Sequence, residues 1–204
     1  LRYGALDFIR KPFDMNEVAS VVRNILRRRQ QHSLENTLGQ YIVDDHRTLV
    51  IPIDETIADL VAYELTKHLS YAKFCNRSTA ENISMALLEA LSNAMYHGNL
   101  EIPSEVREEQ GVKGFHDEIQ KRLQDSQYNQ RKVTIRYNYT GEYAEYIVED
   151  EGKGFDYKNV ADPRDPENFL KNSGRGLFII QVHMDEVEWS NGGRRIRMRK
   201  YKTL

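Results

Sequence analysis

Two pairs of alternating segments constrain this chain more than any other feature. 'KVTIRYNY' and 'EYAEYIVED' meet around Thr140-Gly141, and 'DEVEWS' and 'RRIRMRK' flank 'NGG'. Each pair reads as an antiparallel hairpin with one apolar and one polar face. A sheet of that kind needs a cover on its apolar side. 'RTLVIPI' (47–53) supplies a further strand, and two amphipathic helices follow it. Asp54 is placed to cap the first, through 'IADLVAYELTKHL'. The second starts at 'STAE', where Ser78 and Glu81 have capping-box spacing. The expected fold is α+β: a two-layer sandwich with helices on one face of a mixed, mainly antiparallel sheet.

The second helix carries an unusual polar stripe. In 'ALLEALSNAMYHGN' (86–99), Glu89, Asn93 and His97 recur every four residues. At 100° per residue they span only about 80° of the helix. Ile83, Leu87, Leu91, Ala94 and Met95 form the core-facing set opposite. A solvated polar face is the plain explanation, yet no Lys–Glu pairing supports the stripe as surface decoration. Gly98 and Asn99 are expected to stop the helix.

The balance of 29 Lys+Arg against 31 Asp+Glu, a formal charge of -2, argues against wholesale nucleic-acid binding. Cys75 is the single cysteine, so it cannot form an internal disulfide and reads as a buried apolar residue in a reducing compartment. No apolar run reaches the length of a membrane span, and no signal peptide is evident. A cytoplasmic protein with no membrane association is expected.

The first residues, 'ALDFI' then 'KPF', read as a short strand followed by a helix capped by Asp14, with Val18, Val21, Val22, Ile25 and Leu26 on one side. Too small for a core of its own, this piece (1–30) resembles the end of a response-regulator receiver domain, with Lys11 and Pro12 at the family's positions. The resemblance implies a receiver lying mainly upstream. No aspartate precedes the segment to accept a phosphoryl group; the alternative is a plain βα hairpin. 'RRRQQ' belongs to a solvated linker (31–45), whose bare apolar helix face would favour a homodimer. His32, in 'QQHSLEN', reads as a surface histidine.

Two glycine clusters complete the pattern. 'DEGKGF' holds Asp150, Gly152 and Gly154 directly after a strand, and 'SGRGLFII' holds Gly174, Arg175 and Gly176 at the start of an apolar helix. Either alone is a common turn signal. Glycines nevertheless permit close backbone approach, and a helix start offers free N–H groups to phosphate. With 'EALSNAMYHG' ahead of them, these motifs resemble the GHKL ATPases, and within that group the anti-sigma-factor serine kinases. The resemblance covers about residues 45 to 200, the main domain being 46–204.

The resemblance implies ATP and Mg²⁺ as ligands. Asp150 would accept a hydrogen bond from the adenine amino group, with Gly152 and Gly154 allowing the loop close to the nucleotide. Asn93 would coordinate Mg²⁺, and Gly174, Arg175 and Gly176 would close round the phosphates. Glu89 would be the general base towards a serine hydroxyl, and His97 would order the site or touch a phosphate. Residues 155–173 would form a lid. The substrate would be a small STAS-type anti-anti-sigma protein, with a sigma factor as a further candidate partner. A nucleotide-dependent binding switch without kinase activity, or a histidine kinase core, are the alternatives.

The chain departs from that pattern at 100–131, a charged insertion expected to form one or two short exposed helices. A partner-docking element, a second lid and an inert insertion all fit it. Arg195, Arg197 and Arg199 make one strand face basic, read as the solvated face of an edge strand or as a contact for a charged partner.

Overall fold

The structure, a computed structural model, describes residues 38–156 and 175–203 together with Val18, Ala19 and Val22. The chain divides into two units, Leu1–Tyr41 and Ile42–Leu204. The receiver-like strand and helix cap, the first part of the linker (31–37) with His32, and most of the expected lid with Gly174 lie outside the described residues.

Within the second unit the described order is β1 (Asp45–Ile51), α1 (Glu55–Thr66), α2 (Arg77–Ser92), a π-helical turn (Asn93–Asn99), α3 (Glu105–Leu123), α4 (Ser126–Asn129), β2 (Val133–Tyr139), β3 (Tyr143–Glu149), α5 (Arg175–His183), β4 (Glu186–Ser190) and β5 (Arg195–Tyr201). The strands form one sheet in the order β1-β2-β3-β5-β4. All four described pairings are antiparallel, so the parallel component expected of a mixed sheet is not seen among them. Both hairpins form where the turn residues place them: Gly141 takes a positive φ of 71°, and Asn191–Gly193 makes a 3₁₀ turn between β4 and β5. The first strand starts and ends two residues earlier than the apolar run suggests.

Alternation sorts the sheet into two chemically different faces. Val133, Ile135, Tyr137 and Tyr139 of β2 are buried, as are Tyr146 and Val148 of β3 and Ile196 and Met198 of β5. Against them lie Val61 and Leu65 of α1 and Ile83, Leu87 and Leu91 of α2. Helix α2 packs on both α1 and α5. The buried tyrosines keep their hydroxyls bonded, as burial requires. The Tyr137 hydroxyl meets His68 Nε2 at 2.9 Å, and that of Tyr146 donates to the Leu65 carbonyl at 3.2 Å. Burial lowers the His68 ring to about 4, so it is neutral at physiological pH. Cys75 is fully buried with its thiol pushed up to about 11, which makes it a packing residue rather than a nucleophile.

The opposite face corrects the edge-strand reading of the terminal arginines. β5 lies between β3 and β4, inside the sheet. Arg195 bonds Glu149 at 2.8 Å, and Arg197 and Arg199 both reach Glu145 Oε2, at 3.0 and 2.6 Å. Arg197 also reaches Glu188 at 2.8 Å. Burial alone would push the Glu145 carboxyl up, but the Arg199 and Arg197 hydrogen bonds outweigh it and hold it below its ordinary value. The basic stripe is therefore neutralised by acidic residues on the neighbouring strands.

Helix starts give one confirmation and one correction. The Asp54 side chain accepts from Thr56 N–H and Ile57 N–H, capping α1 as expected. Ser78, by contrast, sits inside α2; the cap is Asn76, whose side-chain oxygen accepts from Thr79 N–H at 2.8 Å. Asparagine caps as well as serine does, so the capping-box spacing two residues later was a coincidence of composition. Replacing Asn76 by Ala is expected to cost about 1 kcal/mol of unfolding free energy. Ser78→Ala should cost less than half as much, and a urea titration of the two variants showing the opposite ranking would restore Ser78 as the cap.

Candidate functional site

The stripe on α2 does not stay on one helical track. From Asn93 the backbone widens into the π-helical turn, in which Leu100 N–H bonds the Met95 carbonyl, five residues back, at 2.9 Å. Such wide turns recur at functional sites because they re-aim side chains. Here Glu89 and Asn93 are half-buried while His97 turns outward and is exposed. His97 Nδ1 donates to the Ile102 carbonyl at 2.7 Å, and its ring lies beside Phe115, 6.2 Å between centroids. Its visible contacts thus order the segment that leaves the helix.

The end of the turn is clamped to the loop that follows β3. Asn99 is fully buried. Its side chain donates to the Lys132 carbonyl at 3.0 Å and accepts from Glu151 N–H at 2.8 Å. Its carbonyl accepts from Arg131, which also bonds Glu101. Gly98 faces Asp150: a Cβ there would lie 2.5 Å from the carboxyl carbon. Gly152 is packed directly on the Gly98 carbonyl, and its N–H donates to Asp150 Oδ1 at 2.8 Å. Gly154, at φ 76°, is packed on the Gly192 carbonyl of the β4–β5 turn. The close approaches of this glycine pair in the structure are thus to the protein's own backbone, and they hold the Asp150 loop between the helix end and the terminal hairpin.

Asp150 is buried, with 8 % of its surface exposed. Burial pushes its carboxyl up to about 6, against the pull of the Gly152 N–H and the Arg194 charge. At neutral pH it is mostly ionised and can accept a further hydrogen bond.

The second glycine cluster meets the other end of the stripe. α5 begins at Arg175, and a Cβ on Gly176 would come within 2.7 Å of Glu89 Oε2 and 3.6 Å of Asn93 Nδ2. The start of α5 therefore abuts both residues at once, and a larger residue than glycine would displace the carboxylate. Burial raises the Glu89 pKa, with the charge of Arg107 opposing it. A carboxylate so placed is suited to take a proton.

Asp150 at Gly98 and Gly176 at Glu89 mark two ends of one surface. Nine positions separate them along α2 and its π-helical end, at most about 14 Å of helical rise. Of the expected site residues, the structure joins Glu89, Asn93 and Gly176 at one end and Asp150 and Gly152 at the other. Gly154 sits farther along the loop, His97 lies outward, and the Arg175 side chain and Gly174 are outside the described residues. Among the described residues no three His, Cys, Asp or Glu side chains converge to hold a metal.

Sequence reasoning missed the clamping role of Asn99 and left the 100–131 insertion between a partner-docking element, a second lid and an inert excursion. Asn99 was read as a helix stop, although its position beside Gly98 was the available signal. Within the insertion, Arg122 donates to the Leu100 and Glu101 carbonyls at 2.7 and 3.1 Å, and Phe115 stacks edge-on against Tyr96 at 5.7 Å. The insertion is exposed but anchored beside the π-helical turn.

Residues 54–200 match the family described as the histidine kinase-like ATPase domain. The serine-protein kinase RsbW of Bacillus velezensis is 27% identical over 128 residues, which cover 59% of this chain and 64% of that protein. The chain thus spans just under two thirds of this relative's length.

The Asp150 environment has a measurable consequence for stability. A carboxyl whose folded pKa lies above its unfolded value stabilises the fold while protonated, and that stabilisation is lost as pH rises through about 6. Relative to Asp150→Asn, the unfolding free energy of the wild type should fall by about 2–3 kcal/mol between pH 4 and pH 7. Parallel pH profiles for the two proteins would contradict the assignment.

Proposed function

Because the chain belongs to the histidine kinase-like ATPase domain family, we propose that it is an ATP-dependent protein serine/threonine kinase. The observation that carries this reading is Gly176 set against both Glu89 and Asn93. It brings a half-buried carboxylate, the Asn93 side-chain amide and the N-terminus of α5 to one point.

In the proposed reaction the bound nucleotide lies along the α2–π-turn surface. Asp150 accepts a hydrogen bond from the base, and the start of α5 presents N–H groups to the phosphates. Mg²⁺, held through Asn93, would neutralise phosphate charge when bound. Glu89 accepts the proton of the acceptor hydroxyl as that oxygen bonds the γ-phosphorus. The bond to the β–γ bridging oxygen breaks, and ADP leaves with the electron pair. The protein's main contribution is positioning, since base and metal ligand stand one helical turn apart on a buried scaffold.

The resemblance to anti-sigma serine kinases makes a small STAS-type protein the proposed acceptor, and a sigma factor a further proposed partner. The Lys11-Pro12 segment supports a role as the output domain of a response regulator.

The test is incubation with γ-labelled ATP and Mg²⁺ in cell extract, comparing wild type with Glu89→Ala and Asn93→Ala. Acid-stable label on a small second protein is expected. Glu89→Ala should reduce transfer roughly a hundredfold or more while retaining nucleotide binding. Asn93→Ala should lose the Mg²⁺ dependence of binding as well. Tight ATP binding by the wild type with no label on any protein would leave a nucleotide-dependent binding switch and end the kinase reading.

A further inference from the structure

The insertion holds, against the π-helical turn, an arginine that none of the motifs contains. Helix α3 is broken at Gly111, whose φ of 69° and ψ of −172° are essentially confined to glycine. In an unbroken α-helix residues 107 and 115 would stand about 12 Å apart along the axis. Here the Arg107 guanidinium lies 5.8 Å from the centroid of the Phe115 ring. Phe115 is itself held by Tyr96 and His97 on the π-helical turn. Arg122, bonded to the Leu100 and Glu101 carbonyls and stacked at 5.0 Å over Tyr128, fixes the far end of α3. The kink thus folds the first turn of α3 back onto a platform that rests on the π-helical turn opened by Asn93.

Arg107 is exposed, and among the described residues its guanidinium makes no salt bridge. Its charge nevertheless reaches the half-buried Glu89 carboxylate. Stacking on an aromatic face orients a guanidinium while leaving its N–H fork available for an anion. The anion expected next to Glu89, on the reading proposed above, is the phosphoryl group in flight.

We propose that Arg107 contacts the γ-phosphoryl group of the bound nucleotide, delivered to it by the Gly111 kink and the Phe115 platform. The inference rests on the phosphotransfer reading. As the acceptor oxygen bonds phosphorus, the bridging oxygen leaves with its electron pair and Glu89 takes the hydroxyl proton. The three equatorial oxygens then carry charge that a planar guanidinium can bond bidentately. The insertion, otherwise an exposed excursion, becomes a source of specificity for a triphosphate over a diphosphate.

The experiment measures ATP·Mg²⁺ and ADP·Mg²⁺ affinities calorimetrically on the full chain. Transfer of label to extract proteins is followed in parallel. The proteins are wild type, Arg107→Ala, Arg107→Lys and Gly111→Ala. Arg107→Ala should lower the preference for ATP over ADP at least tenfold with ADP affinity unchanged, and should slow transfer roughly a hundredfold or more. Arg107→Lys should recover part of both losses. Gly111→Ala, which keeps the arginine but disfavours the kink, should resemble Arg107→Ala. Unchanged ADP affinity serves as the check on folding in every variant. An Arg107→Ala protein with the wild-type ATP-over-ADP ratio overturns the proposal whatever happens to transfer. A wild type that transfers no label sinks the kinase reading instead, while the affinity ratio still decides the role of Arg107.

Discussion

The buried side chain of Asn99 is the joint on which the site depends. It spans the Lys132 carbonyl at the start of β2 and the Glu151 N–H after β3, so one amide fixes the helix end to two parts of the sheet. Removing it would leave two partly buried backbone groups without their partner, which destabilises the joint. Its neighbours explain why the joint can close. Only residues without Cβ at 98 and 152 let the π-helical turn and the Asp150 loop meet backbone to backbone. The glycine motif thus serves assembly of the site before it serves any ligand.

The two faces of the sheet divide the labour. The apolar face supports the helix layer, and through α2 it carries Glu89 and Asn93 on a rigid base. The other face is an ion-pair ladder in which Glu145, only 7% exposed, is shared by Arg197 and Arg199. Single surface ion pairs contribute little, but a nearly buried carboxylate left without its arginines would be costly. β5 therefore reads as a structural strand whose charges are already matched, and that removes the terminal arginines as the first place to seek an acidic partner.

Much of this arrangement was legible in the sequence because it follows short-range rules. Alternation placed the β2–β3 and β4–β5 hairpins, and the core residues of α2 from Ile83 to Met95 fall on the expected face. Spacing placed Glu89 and Asn93 together because Asn93 directly follows the regular helix, before the wider turn has displaced anything. His97 escaped the same arithmetic because the backbone changes its hydrogen-bonding period at Asn93, and no residue type announces a π-helical turn. The strand order was equally invisible: whether β5 is an edge or an interior strand depends on long-range pairing, which decides whether its arginines face water or Glu145. Asn76 and Ser78 illustrate a local ambiguity, two good caps two residues apart, settled by where α2 meets the core.

The insertion shows how such a site can be adjusted without touching its motifs. A carboxylate in the role proposed for Glu89 must be desolvated enough to hold a proton and yet be ionised when the acceptor arrives. Burial against Gly176 works in the first direction on Glu89, and the Arg107 charge works in the second. These opposing influences come from different parts of the chain, α5 and α3, so each can vary without rebuilding the other. Gly111 is what makes the second one available: a straight α3 would carry Arg107 away from Phe115. A single backbone kink in a segment outside every motif thereby links the insertion to the electrostatics of Glu89.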